Sequence, residues 1–181
     1  MTAASCIQKP IADRRSTTEA VFTPQFFVPY QRAMETLLEI LSDARSHIGG
    51  ACEVLAVTFR LKSPASIRGK LIKKHLPLTA ACAHAALQDV AGLRVVLSST
   101  QAVYHFANLL RKSTAFEVIE EQDYIANPKK SGYRSLHLIV RIPVYAYHQL
   151  FMVPAEIQLR TAPMDIWANI EHKLIYKPVK S

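Results

Sequence analysis

Asp123-Tyr-Ile-Ala-Asn-Pro128-Lys129-Lys-Ser131-Gly132-Tyr133-Arg-Ser135-Leu-His137-Leu-Ile-Val-Arg-Ile142 holds a turn followed by a strand, and the organisation of the chain is read outward from that pair. Asn127, Pro128, Ser131 and Gly132 are turn residues and mark a loop over 127–132. From Tyr133 to Ile142 the period becomes two. Tyr133, Ser135 and His137 fall on one face, and Arg134, Leu136, Leu138 and Val140 on the other. Three of the latter four suit a core. The strand therefore needs cover on its apolar face and offers a ring, a hydroxyl and an imidazole on the opposite one.

Upstream, Phe116–Glu121 and Gly92–Leu97 read as strands, and Thr100–Lys112 as an amphipathic helix through Val103, Phe106, Ala107 and Leu110. Val54–Arg60 is a further strand. Ser63 then caps a helix with Pro64 at its first position, running to about His75. A helix from Pro29 carries Met34, Leu37, Leu38, Leu41, Ala44 and Ile48 at helical spacing and stops at Gly49-Gly50. Residues 1–20 are polar and aperiodic and read as a loose leader to one domain over 21–181. Downstream, Val153–Arg160 is a strand, and Thr161 caps a helix to about Tyr176 with Trp167, Ile170 and Leu174 as its core stripe. Helices interleave with about five strands, so the class is α/β, of the mixed α+β kind.

The 181 residues suit a single domain with its own core. The formal net charge of +8 attracts polyanions, among them nucleotide polyphosphates, nucleic acid and anionic membranes, without choosing between them. Five glycines, none in a Walker or dinucleotide pattern, exclude those phosphate loops. Cys6, Cys52 and Cys82 are odd in number and contain no C-x-x-C, which argues against a disulfide framework. Lys9, Asp13, Arg14, Arg15 and Glu19 leave no apolar signal region near the start, and no stretch approaches the roughly 18 apolar residues of a membrane span. A cytoplasmic protein with no membrane partner is the expectation.

Five segments carry side chains suited to chemistry. Arg60-Leu-Lys62-Ser-Pro-Ala-Ser66-Ile-Arg68-Gly-Lys70 is basic and acid-free; Ser66 and Lys70 share a helix face, and Ser66 lies in a first turn, where free N–H groups favour anions. Asp89 precedes the strand that carries Arg94, and a carboxylate there suits Mg²⁺, whose ligands are oxygens. Tyr133, Ser135 and His137 suit a base and its sugar, the ring for stacking and the polar groups for discrimination. Glu156, Gln158 and Arg160 share a strand face, with Ile157 and Leu159 on the other; Glu156 is a candidate metal ligand or general base, and a charged edge strand is the alternative. Glu171-His172 are adjacent helix positions that diverge by about a quarter turn or more, which does not suit a zinc site.

The segments R-L-K-S-P-A-S-I-R-G-K, D-V-A-G-L-R, D-Y-I-A-N-P-K-K-S-G-Y-R-S-L-H, E-I-Q-L-R-T and W-A-N-I-E-H-K-L-I-Y-K, spread over 60–177, resemble in order and spacing the synthetase domain of the RelA/SpoT homologues. The likeness is greatest to the single-domain small alarmone synthetases. It implies a nucleotidyltransferase-like mixed sheet flanked by helices. It also implies transfer of the β,γ-pyrophosphate of ATP to the 3′-hydroxyl of GDP or GTP, giving AMP and the alarmones of the stringent response. By resemblance Arg60, Lys62, Ser66, Lys70 and Arg94 contact ATP, and Asp89 and Glu156 bind Mg²⁺, Glu156 also serving as base. Lys129, Tyr133, His137, Gln158 and Ala168 match the guanosine nucleotide's site, Tyr133 as the ring that stacks on guanine. Ser131 stands where many relatives carry Asn.

Three other readings share these residues: a toxic relative that pyrophosphorylates the 3′ end of tRNA, an enzyme using adenosine nucleotides as acceptor, and a truncated, catalytically silent paralogue. Only Pro178, Val179, Lys180 and Ser181 follow Lys177, whereas the resemblance implies further helices that build a tetramer. The expectation is a monomer or weak dimer. Light scattering after size exclusion checks it, and a stable tetramer would contradict it.

Overall fold

The computed structural model describes residues 21–47 and 53–176. The leader, Cys6, Cys52, Ile48, the Gly49-Gly50 stop and the last five residues lie outside that range, as do the side chains of Ala44 and Leu174. The elements in chain order are α1 (Pro24–His47), β1 (Val54–Leu61), α2 (Pro64–Lys73), α3 (Ala80–Ala86), β2 (Ala91–Leu97), α4 (Thr100–Arg111), β3 (Glu117–Asp123), β4 (Leu136–Ala146), β5 (Gln149–Thr161) and α5 (Ala162–Tyr176). The strands form one mixed sheet in the order β1-β2-β5-β4-β3. β2 and β5 run parallel, and the other pairs are antiparallel.

Alternation divides the sheet into two faces. One is apolar: Leu93, Val95 and Leu97 of β2, Ile157 and Leu159 of β5, and Leu136, Leu138 and Val140 of β4 are buried. They form one cluster with Tyr30, Leu37 and Leu41 of α1 and Val103, Phe106 and Leu110 of α4. The opposite face carries the polar residues of the same strands, and α5 packs against it at β5 and β2.

Caps set the helix starts. Ser63, Ser99 and Thr79 each accept a backbone N–H three residues on, which satisfies a donor that the first turn leaves free. Thr79 opens α3, a helix the sequence reading leaves unassigned because Ala80-Ala-Cys-Ala-His-Ala-Ala86 has no periodic contrast. α1 starts five residues before the expected Pro29, since Phe22 and Phe26 are buried with the core. Pro29 lies inside the helix without an N–H, which frees the carbonyl four residues back, that of Gln25. The Tyr147 hydroxyl donates to that carbonyl at 3.1 Å. Tyr147 and His148 form the β4–β5 turn with φ of 51° and 58°, the conformation of a tight hairpin turn.

Two further expectations need correction, and one alternative is removed. β4 begins at Leu136, so Tyr133 and Ser135 precede the strand. β5 is the central strand and not a charged edge. Trp167 and Ile170 are 45 % and 43 % exposed, and the buried contact of α5 there is Ala168. The Trp167 ring instead braces the 127–132 loop: its Nε1 donates to the Ser131 carbonyl at 3.2 Å and lies 3.5 Å from where a Cβ on Gly132 would be. Among the described residues no helix is long and apolar enough to cross a membrane.

Leu38 also leaves the expected stripe of α1, at 44 % exposed against 0 % for Leu37. Leu37→Ala is expected to cost about 2–5 kcal/mol and Leu38→Ala well under about 1 kcal/mol. Chemical denaturation of both variants checks the phase of the helix.

Candidate active site

The strand register assembles the site. Arg60 of β1 pairs with Gly92 of β2, Gly92 with Glu156 of β5, and Glu156 with Ile139 of β4. One rung on, on the same face, Thr58, Arg94, Gln158 and His137 stand in a row across the same four strands. Gly92 places no side chain between Arg60 and Glu156, so the floor stays open there. The resulting cleft is about 760 Å³ and is closed on one side by Ala168, Asn169, Glu171 and His172 of α5.

Ten of the twelve residues singled out from the sequence line this cleft: Arg60, Lys62, Asp89, Arg94, Lys129, Tyr133, His137, Glu156, Gln158 and Ala168. Ser66 and Lys70 do not. The Ser66 hydroxyl is turned back to Ser63 Oγ at 2.9 Å within the N-terminal turn of α2. Lys70 reaches the site indirectly, as Lys62 and Lys70 each place Nζ 2.8 Å from Asp89 Oδ2. Asp89 Oδ1 is buried without a hydrogen-bond partner. Burial pushes the Asp89 carboxyl up, but the hydrogen bonds and charges of the two lysines outweigh it and hold the group below its ordinary range.

Glu156 sits in a closed ring of hydrogen bonds. Its Oε1 is 2.9 Å from His137 Nδ1, and Gln158 Nε2 donates to its Oε2 at 2.8 Å. His137 Nε2 is 2.8 Å from the Tyr133 hydroxyl, which accepts from Arg160 Nη2. Arg160 Nη2 also donates to Gln158 Oε1 at 2.7 Å, which closes the ring. Burial raises the Glu156 pKa, while the His137 hydrogen bond and charge and the Gln158 donor bring it below the ordinary value. The Tyr133 hydroxyl is held above its usual pKa by burial.

Lys129 stands over two rings, its Nζ 4.5 Å from the Tyr124 centroid and 4.8 Å from the Tyr133 centroid. Gly132, with φ of 82°, supports the turn that folds Lys129 back: its N–H bonds the Lys129 carbonyl at 2.8 Å. The sequence reading gave no role to Arg160, which lines the cleft, or to Asp165, which braces two of its arginines. Arg160, 3 % exposed, was visible on the Glu156 face without an assigned role. Asp165, in the first turn of α5, bridges Arg160 and Arg94 through one oxygen. No period signals Asp165; its position emerges only when α5 is laid over the sheet.

Residues 59–181 match the family model described as the region found in RelA / SpoT proteins. The chain is 37% identical over 145 residues to the GTP pyrophosphokinase YwaC of Bacillus subtilis strain 168, an alignment covering 80% of this chain and 69% of that one. It superposes on the crystal structure of small alarmone synthetase 1 from Bacillus subtilis bound to its product pppGpp with a TM-score of 0.76, at 36% identity, over 86% of this chain and 80% of that one. The structure of the same synthetase bound to AMPCPP superposes with a TM-score of 0.67, at 34% identity, over 84% and 77%.

Because Asp89 and Glu156 both have lowered native pKa values, their ionisation favours the folded state at all pH above the unfolded values of 3.8 and 4.5. That contribution disappears as pH falls through the lower native values. In metal-free buffer, stability below about pH 4.5 is expected to fall less steeply in a D89N/E156Q variant than in the wild type, by up to about 1.4 kcal/mol per pH unit per group. Denaturation series between pH 3 and 7 check it, and parallel slopes would contradict the assignment.

Proposed function

The chain belongs to the RelA/SpoT family, and from that premise we propose that it is a GTP diphosphokinase, an alarmone synthetase moving the β,γ-pyrophosphate of ATP to the 3′-hydroxyl of GDP or GTP. One observation carries the reading. The residues assigned by resemblance to the donor (Arg60, Lys62 and Arg94) and to the acceptor (Lys129, Tyr133, His137, Gln158 and Ala168) line one cleft, with Glu156 on β5, next to Arg94's strand. Its volume lies in the upper part of the range for ligand sites, which suits two substrates.

Pyrophosphoryl transfer asks a protein mainly for positioning and charge neutralisation. Arg60, Lys62 and Arg94 supply positive charge along the β1–β2 side of the cleft. Asp89 and Glu156 are the residues that would hold Mg²⁺. The buried, unpartnered Asp89 Oδ1 is the hard oxygen donor this ion prefers. Among the described residues no three His, Cys, Asp or Glu side chains converge, which leaves coordination positions for phosphate oxygens and water, as is common for Mg²⁺. Bound there, the ion would neutralise phosphate charge. Glu156, oriented by His137 and Gln158, would accept the 3′-hydroxyl proton. A guanine stacking on the Tyr133 face that Lys129 covers would displace the ammonium, freeing it for the acceptor's phosphates.

Incubation with γ-labelled ATP, Mg²⁺ and each of GDP, GTP, ATP and deacylated tRNA tests the proposal. A labelled guanosine 3′-diphosphate product is expected, and folded protein that labels no guanosine nucleotide at any Mg²⁺ concentration would overturn it. In the same assay Glu156→Gln is expected to lower turnover by roughly a hundredfold or more. Near-normal turnover would remove Glu156 from the mechanism.

A further inference from the structure

Arg94 and Arg160 project from neighbouring parallel strands onto the cleft face, Arg94 paired with Gln158 and Arg160 two residues further along β5. Two guanidinium groups on one face repel each other, most strongly where water is scarce. Burial and the nearby Arg160 charge together lower the Arg94 pKa. Asp165 Oδ1 lies 3.1 Å from Arg94 Nη1 and accepts from Arg160 Nη1 at 3.2 Å. Its Oδ2 accepts from Asn169 Nδ2, one turn on, at 3.1 Å. The carboxylate also lies in the first turn of α5, where exposed N–H groups favour an anion.

The two arginines are held unequally. Arg160 is anchored by Ser135, Tyr133 and Gln158 as well as by Asp165. Arg94 has Asp165 as its only carboxylate partner among the described residues, and its Nε is buried without a hydrogen-bond partner. We infer that Asp165 is a positioning residue that, braced by Arg160 and Asn169, aims the Arg94 guanidinium at the donor triphosphate. The identity of that ligand rests on the proposed pyrophosphokinase reading. One carboxylate between two guanidiniums removes most of their repulsion and leaves a net positive charge, so the pair is held together and still attracts phosphate.

A double-mutant cycle read as direct binding tests the role. The dissociation constant of a non-hydrolysable ATP analogue is measured by calorimetry for the wild type, D165N, R94M and D165N/R94M, with folding checked by circular dichroism. D165N is expected to weaken binding by about tenfold or more, equivalent to about 1.4 kcal/mol. In the R94M background the same change is expected to cost less than about threefold, because the residues act as a unit. If D165N does not fold, N169A, which loosens the carboxylate without removing its charge, takes its place in the cycle with the same expected non-additivity. Equal losses in both backgrounds, or no loss in the wild-type background, overturn the positioning role. A cycle that behaves as expected in a protein that transfers no pyrophosphate would sink the proposed function alone. Absence of any triphosphate binding by the wild type would sink both.

Discussion

Arg160 is a cation enclosed at the centre of a β-sheet, and the site is built from the groups that compensate it. Removing a guanidinium from water costs several kcal/mol unless its hydrogens are paired. Here Ser135 takes Nε, Asp165 takes Nη1, and Tyr133 and Gln158 share Nη2. Each partner is also committed elsewhere: Tyr133 to His137, Gln158 and His137 to Glu156, and Asp165 to Arg94. The orientation of Glu156 and that of Arg94 therefore depend on the same buried charge. Replacing such a charge by a well-packed apolar side chain is often neutral for stability. In this protein that change would leave Tyr133, Gln158 and Asp165 without the donor that fixes them.

The sheet makes this compensation possible at short range. Alternation puts Glu156, Gln158 and Arg160 on one face of β5, while Ile157 and Leu159 enter the core. β5 lies between β2 and β4, so both neighbours contribute to the polar face, Arg94 from one and His137 from the other. A slip of one residue in either pairing would bury Glu156 among leucines. The apolar alternates Leu93, Ile157 and Leu138, packed on α1 and α4, are what hold the register of the functional face.

This explains what was legible in the sequence. The mixed α+β class and the five strands follow from periodicity and caps, which are local signals, while most site positions came from the resemblance. The resemblance named twelve positions, and ten of them line the cleft. What was not legible depends on packing between distant elements. Trp167 and Ile170 have helical spacing and look like a core stripe, but α5 covers a polar face, so Ala168 and Asp165 turn to the sheet there while Trp167 and Ile170 stay partly exposed. Leu38 fails for a related reason, as the buried arc of α1 is already filled by Phe26, Tyr30, Ala33, Met34, Leu37 and Leu41. The helix over 80–86 was hidden by its composition, since a run of alanines has no face.

The charge arrangement completes the argument. Among the described residues, Asp89 is shared by Lys62 and Lys70, and Asp165 by Arg94 and Arg160, so each carboxylate serves two cations and each cluster keeps a net positive charge. Arg60 and Lys129 have no carboxylate partner. They lie in opposite halves of the cleft, Arg60 on the outer strand β1 and Lys129 in the loop before β4. The paired cations are held by their carboxylates, so an anion meeting them need not order them at the moment of binding. The two unpaired cations add to the net positive charge that each cluster keeps. A cleft built only of free cations would repel itself, whereas a carboxylate shared by two cations reduces the repulsion and keeps a charge that attracts anions. Shared carboxylates and free cations together keep the cleft ordered and net positive, with Glu156 on its central strand.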